Sequence, residues 1–201
     1  MAAAPPALTA DEALKLAAAY PAPGRDRFYG PVGNAALGAG LVLTNIEYPT
    51  YLVDEDRFAI VKGPAVVLTH ECDLDPENER ILNGNALICP IIPLDALVDS
   101  LNKVVDYEEA KRFISNVSAR YVNRVVYLPP IPDVIPKGGY LYLNLLTNTH
   151  VSRLQGENIT QPCMLSVDGF REIDFALERH LRRPKADRVP LEAATPEGGG
   201  L

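Results

Sequence analysis

The stretch from Pro64 to Asp75, PAVVLTHECDLD, decides how this chain is read. Ala65 to Leu68 is a short apolar run rich in β-branched residues, and Gly63-Pro64 before it is a turn signal. A run so bounded reads as a strand. The strand is expected to continue to Cys72, with the acidic segment Asp73–Gly84 as a polar loop after it. On its N-terminal side, Leu41–Leu43, Thr50–Val53 and Arg57–Val61 read as short strands. On its C-terminal side, Asn85–Ile92 is another apolar run. Pro90 within it lacks a ladder donor and marks an edge strand or a bulge.

The hydrophobic period then changes. Leu94–Leu101 reads as a short helix. Tyr107–Tyr121 is a stronger one, with Ala110, Phe113, Ile114 and Val117 at i, i+3, i+4 and i+7. Strand patterns return at Asn123–Leu128, which Pro129-Pro130 ends, and at Tyr140–Leu145. Val151–Leu154 and Cys163–Val167 are expected to pair briefly. A last helix spans Val167 to Arg182, with Phe170, Ile173, Phe175, Leu177 and Leu181 as its apolar side. This order gives an α+β fold: a small, strongly curved β-sheet or half-barrel with an inserted helical pair and a closing C-terminal helix. Val66, Leu68, Phe113, Ile114, Val117, Val126, Leu141, Leu143, Phe175 and Leu177 are the expected core.

A chain of 201 residues fits one globular domain, here 25–183, with tails. In the N-terminal tail, 1–24, Thr9-Ala-Asp-Glu12 is a capping box opening a helix from Ala10 to about Tyr20, stopped by Pro21 and Pro23. Leu8, Leu14 and Leu16 offer that helix little to bury, so weak docking is expected. Residues 184–201, rich in Pro, Glu, Ala and Gly, read as disordered.

Hydrophobic residues make up 47% and charged residues 22%, which excludes a wholly disordered or fibrous chain. No apolar run approaches the ~18 residues of a membrane span. A net charge of −7 does not steer the whole chain toward nucleic acid or anionic membrane. The charge is uneven: Gly63–Ala110 holds ten acidic residues against Arg80 and Lys103, and Lys111–His150 holds five basic residues against Asp133. The two stretches are expected to complement each other internally. Three cysteines, Cys72, Cys89 and Cys163, cannot all pair within one chain, and none belongs to a CxxC motif. With no basic stretch or long apolar core at the N-terminus, the expected location is the reducing cytoplasm.

The candidate site is the box His70, Glu71, Cys72, Asp73. On a strand, His70 and Cys72 share a face about 6.5–7 Å apart at Cα, alongside Val66 and Leu68. His-x-Cys supplies two zinc ligands if Cys89, His150 or Cys163 supply others. Alternatively Cys72 is a nucleophile served by His70, His150 or His180. An EF-hand fails, because Asn78 and Gly84 stand where the loop needs Gly and Glu. The plain alternative is a structural Cys72 before a solvated acidic turn. Glu71, Asp73 and Asp75 disfavour a thiolate, so Cys72 is expected to be a neutral, buried thiol that holds no stoichiometric zinc. A phosphate-contacting patch from Arg120, Arg124, Arg179, Arg182 and Arg183 is a weak basic signal on an acidic chain.

Thr69-His-Glu-Cys-Asp-Leu74, Arg124-Val-Val-Tyr-Leu-Pro-Pro130, the run Tyr140–Leu145 and the helix Phe170–Arg183 together resemble a loose group of small bacterial and phage proteins of unknown role. The resemblance covers residues 60–183. It implies a phage or mobile-element setting and a β core similar to the SH3-like barrels of PemK/MazF-type toxins. Those toxins cleave RNA in a basic groove, which this acidic chain does not match. The expected function is a cytoplasmic accessory or interaction module with a protein partner and no cofactor. The alternatives are a Cys/His- or metal-dependent hydrolase centred on His70, Cys72 and Asp73, and a nucleic-acid-associated protein.

Overall fold

The computed structural model describes residues 6–19, 24–33, 36–52, 55–75, 77 and 84–182. The expected disordered tail 184–201 and most of the expected loop 73–84 lie outside the described residues. Ala10–Ala18 (α1) and Arg25–Phe28 (α2) lead into Tyr29–Gly30 (β1). Leu41–Leu52 (β2) and Arg57–Val67 (β3) form a long hairpin, followed by the helical turn Glu71–Leu74 (α3) and Asn85–Pro93 (β4). The helical pair is Leu94–Val104 (α4) and Tyr107–Ser118 (α5). Val125–Leu128 (β5), Gly139–Tyr142 (β6), Thr147–His150 (β7) and Cys163–Leu165 (β8) precede the last helix, Val167–Leu181 (α6).

Among the described residues the strands form one antiparallel sheet in the order β1-β8-β2-β3-β4-β6-β5, with β7 also on β4. The fold is α+β and the sheet is not closed. Its two ends nevertheless share one core. The Tyr29 hydroxyl donates to the Pro129 carbonyl at 3.0 Å, and Tyr29 is buried with Val126 and Leu128. That core takes Val42, Val66, Cys89, Ile91 and Leu141 from one face of the sheet. The other face buries Leu41, Leu43, Ala65, Val67 and Ile88 against Leu74 and Leu154.

Two of the prolines in this sheet, Pro64 and Pro90, occupy places where the ladder is interrupted beside them. At the bulge in β2, Thr44 and Asn45 together oppose the single residue Pro64 of β3. Pro90 corrects the expectation of an edge strand: β4 is an inner strand, paired with β3 on one side and with β7 and β6 on the other. Leu87 exchanges its backbone bonds with Leu68 and the Thr69 hydroxyl, so it faces β3. By alternation the Pro90 nitrogen faces the opposite side. There β7 ends at Ile88 and β6 begins at Ile91.

The closing helix α6 contacts α2, β8 and β5, so it bridges the two ends of the sheet. The Ser166 hydroxyl caps it by accepting from the Gly169 N–H. A Cβ on Gly169 would lie 2.3 Å from the Phe28 carbonyl oxygen, so only glycine allows this approach. Ile173 is 1% exposed, while Phe170 and Leu177 are half-buried beside it. Phe175 and Leu181 correct the expected apolar side, at 52% and 69% exposed. Phe175 stands two residues from Ile173, about 200° around the helix, so the two do not share a stripe. The other expected core residues are buried or half-buried.

α1 also departs from expectation. Its capping box forms as read, with Thr9 Oγ1 accepting from the Glu12 N–H. The helix does not dock weakly: Leu8 is 2% exposed, and Ala13 and Ala17 are fully buried against α4 and α5. The Asn102 side chain bonds both the N–H and the carbonyl of Leu8, and Lys137 pairs with Asp11 at 2.7 Å. The small alanines permit close helix approach, which a count of large apolar residues misses. The basic stretch is neutralised only partly by its acidic neighbour. Lys111 and Arg112 meet Glu108 and Glu109, but Arg120 meets Glu172 on α6 and Lys137 meets Asp11 on α1. Val151–Leu154 does not pair with Cys163–Leu165. It is a 3-10 turn, and β8 lies between β1 and β2.

Candidate functional site

The strand holding the His-Glu-Cys-Asp box ends earlier than its sequence implies. β3 stops at Val67. Leu68 N–H donates to the Leu87 carbonyl at 2.9 Å, and the Thr69 hydroxyl accepts from the Leu87 N–H at 2.6 Å. His70 then acts as an N-cap: its Nδ1 accepts from the Cys72 N–H at 3.3 Å. Glu71 and Asp73 fall in the first turn of α3, where a helix start favours negative charge. His70 Nε2 lies 3.5 Å from a Glu71 carboxylate oxygen.

Cys72 is therefore on a helical turn and not on a strand, and it is exposed rather than buried. The shared face with Val66 and Leu68 does not exist. Cys89 and Cys163 are the buried thiols, and burial pushes them up to about 12 and about 11. His150 ends β7 opposite Asn85, with Nδ1 2.8 Å from the Ser152 hydroxyl. His180 is on α6. Among the described residues no three His, Cys, Asp or Glu side chains form a group able to hold a metal ion.

A different surface stands out on the hairpin. Beyond the bulge, β2 and β3 pair only with each other, as Glu47↔Lys62, Pro49↔Ile60 and Tyr51↔Phe58. Directly opposed residues share a face, so Pro49, Tyr51, Phe58 and Ile60 form one apolar patch on this arm. Phe58 is 77% exposed, Ile60 67% and Tyr51 45%. The Tyr51 and Phe58 rings meet edge to face at 5.2 Å. The Tyr51 hydroxyl donates to Asp56, and that bond raises the phenol pKa. Asp56 makes the tip with a left-handed backbone, φ 48°. At the base, Glu47 pairs with Arg153 at 3.2 Å. On the opposite face Tyr48, Thr50, Leu52, Ala59 and Val61 are all half-buried. Because both faces of this stretch carry apolar residues, alternation alone does not show which is covered.

The arginines form no open basic groove. Arg120 and Arg182 are held by Glu172 and Glu178 at 2.8 and 2.7 Å. Arg179 lies over the Phe175 ring and Arg124 over the Tyr142 ring. Arg183 lies outside the described residues. The crevice shared by Arg120, Glu172, Phe175 and Arg179 measures about 40 Å³, room for a few waters. No helix among the described residues is long and apolar enough to cross a membrane. The chain matches no family model, no curated protein and no solved structure.

Proposed function

We propose that the protein is a non-enzymatic, cytoplasmic accessory module that assembles through the apolar face of its β2–β3 arm, with a second copy of itself as the occupant. The exposure of Phe58, Ile60 and Tyr51 on one face of a two-stranded ribbon carries this reading. The patch exposes on the order of 400 Å² of apolar surface, within the ~300–600 Å² of the largest patch on a typical monomer, which is often functional. An interface is about 56–58% apolar, so such a patch corresponds to roughly 700 Å² per partner, close to the size of a stable contact.

Its polarity is self-complementary. At the base Lys62 stands opposite Glu47, whose carboxylate is taken by Arg153, and Asp56 stands at the tip. A two-fold axis through the patch stacks the ribbons antiparallel, with each tip over the other's base. The acidic tip then meets Lys62, and the aromatic rows meet each other. The curled sheet supports reading the core as an SH3-like half-barrel, and the phage or mobile-element setting goes with that likeness. RNA cleavage does not, since Arg120 and Arg182 are already neutralised. A hydrolase at His70, Cys72 and Asp73 has less support, because the acidic residues Glu71 and Asp73 on either side of Cys72 disfavour a thiolate.

Sedimentation velocity on the full chain from about 5 to 100 μM tests the assembly. The wild type should sediment at twice its 21.9 kDa mass, and Ile60→Asp at that mass with an unchanged circular dichroism spectrum. A wild type that remains monomeric throughout contradicts the reading.

A further inference from the structure

We propose that the pocket between the helical pair and the sheet is a binding site for a small monocarboxylate with an apolar body, whose carboxylate is held by Arg124. The pocket has a volume of about 240 Å³. Leu97 of α4 and Phe113 of α5 form its roof, Ile92 of β4 and Tyr140 and Tyr142 of β6 its floor, and Arg124 its charged wall. It is distinct from the arm and from the His70–Asp73 turn, and it does not depend on self-assembly.

Two observations point to this ligand chemistry. The first is size. A cavity of ~150 Å³ lined by aliphatic side chains takes up benzene. This pocket holds one ring, or a short acyl chain, with a few atoms more. The second is charge. Seven other arginines, Arg27, Arg57, Arg112, Arg120, Arg153, Arg171 and Arg182, each face a carboxylate. Arg25, Arg124 and Arg179 have no acidic partner among the described residues, and of these three Arg124 is the one that lines this pocket. It lies over the Tyr142 ring at 5.7 Å, a contact that orients its fork and leaves the charge unneutralised. A planar guanidinium beside an apolar wall suits a carboxylate with an apolar tail.

Tyr140, 1% exposed, gives the floor its ring, while its hydroxyl is enclosed beside the Ser118 hydroxyl, away from the pocket. Ser100, the remaining polar side chain of the wall, already donates to the Ala96 carbonyl. The wall thus offers one cation and otherwise apolar surface. Polar sites of this kind fix orientation while the apolar walls supply affinity.

Isothermal titration with 3-phenylpropionate, and with its neutral counterpart 3-phenylpropanol, tests the site on the full chain. The wild type should bind one 3-phenylpropionate per chain. Arg124→Gln, an exposed position whose change leaves the fold intact, should weaken binding at least about tenfold, the loss expected for one charge-assisted hydrogen bond. 3-Phenylpropanol should bind more weakly than the acid and be indifferent to Arg124→Gln. Leu97→Trp, checked for an unchanged circular dichroism spectrum, should fill the pocket and abolish binding of both. No saturable binding by the wild type up to about 5 mM overturns the proposal. So does 3-phenylpropionate binding that Arg124→Gln leaves unchanged.

Discussion

The two halves of the β2–β3 hairpin both carry many apolar residues and have opposite surroundings. In the half beside β8 and β4, Leu41, Val42, Leu43, Ala65, Val66 and Val67 are at most 1% exposed. Past the bulge, Phe58 and Ile60 are mostly exposed on the same ribbon. Strand alternation shows that Val42, Val66, Ile60 and Phe58 belong to one continuous face, the face that carries the main core. That core ends because its cover ends. β8 pairs with β2 only at Leu41 and Val42, and β4 pairs with β3 only at residues 65–67. The cleft bounded by Gly63, Pro64, Pro132 and Asp133 marks the limit. Burial in this hairpin is thus set by its neighbours and not by its own composition. An isolated two-stranded ribbon is marginal, so the arm gains from a second copy laid across it.

The comparison breaks most clearly at Leu43. Leu43→Ala should cost about 2–5 kcal/mol, a large share of the 5–15 holding a typical domain, read as a lower urea midpoint. If Leu43→Ala costs no more than Ile60→Ala, the two halves are not different in packing. Leu8→Ala extends the contrast to the N-terminus. A loss of about 2 kcal/mol or more is expected if α1 is part of the core, and almost none if it is a tail.

The cysteines sharpen the same division by pH and by reactivity. The Cys89 and Cys163 thiols are held neutral well above their ordinary 9.0, so unfolding releases protons in alkali. Stability should be level below about pH 9 and fall as the pH rises toward 12. Burial raises Tyr29 and Tyr140 in the same direction. Denaturation midpoints at about pH 8 and 11 should differ less in Cys89→Ala than in the wild type. A maleimide should label Cys72 alone in the native protein, and Cys89 and Cys163 only after unfolding. Smaller effects belong to the exposed positions. Phe175→Ala should cost about 1 kcal/mol, well below the ~3–5 of a core aromatic. Ile60→Ala should change stability in dilute monomer by no more than ~0.5 kcal/mol.

Much of the fold was legible where a local rule has one outcome. The Thr9–Glu12 capping box, the period of Tyr107–Ser118 and the Pro129-Pro130 stop all form as read. What was not legible depended on distant partners. His70 caps a helical turn only because Thr69 has already closed the strand against Leu87. Pro90 is tolerated inside the sheet because β7 and β6 meet beside it. Phe58 and Ile60 read only as part of the strand Arg57–Val61, because nothing in their own stretch records where β4 and β8 end. The residues of the candidate surface were visible as strands, but their exposure was not.

A nuclear Overhauser measurement on a mixed sample reports whether two arms pack face to face. One half of the chains carries labelled isoleucine methyls and the other half carries protonated aromatic rings in an otherwise deuterated background. Intermolecular cross-peaks from the Ile60 methyl to the Tyr51 and Phe58 rings are expected if the two arms pack face to face, and they should be lost in Ile60→Asp or on dilution to monomer. A dimer that lacks those cross-peaks, or joins through any other surface, contradicts that packing.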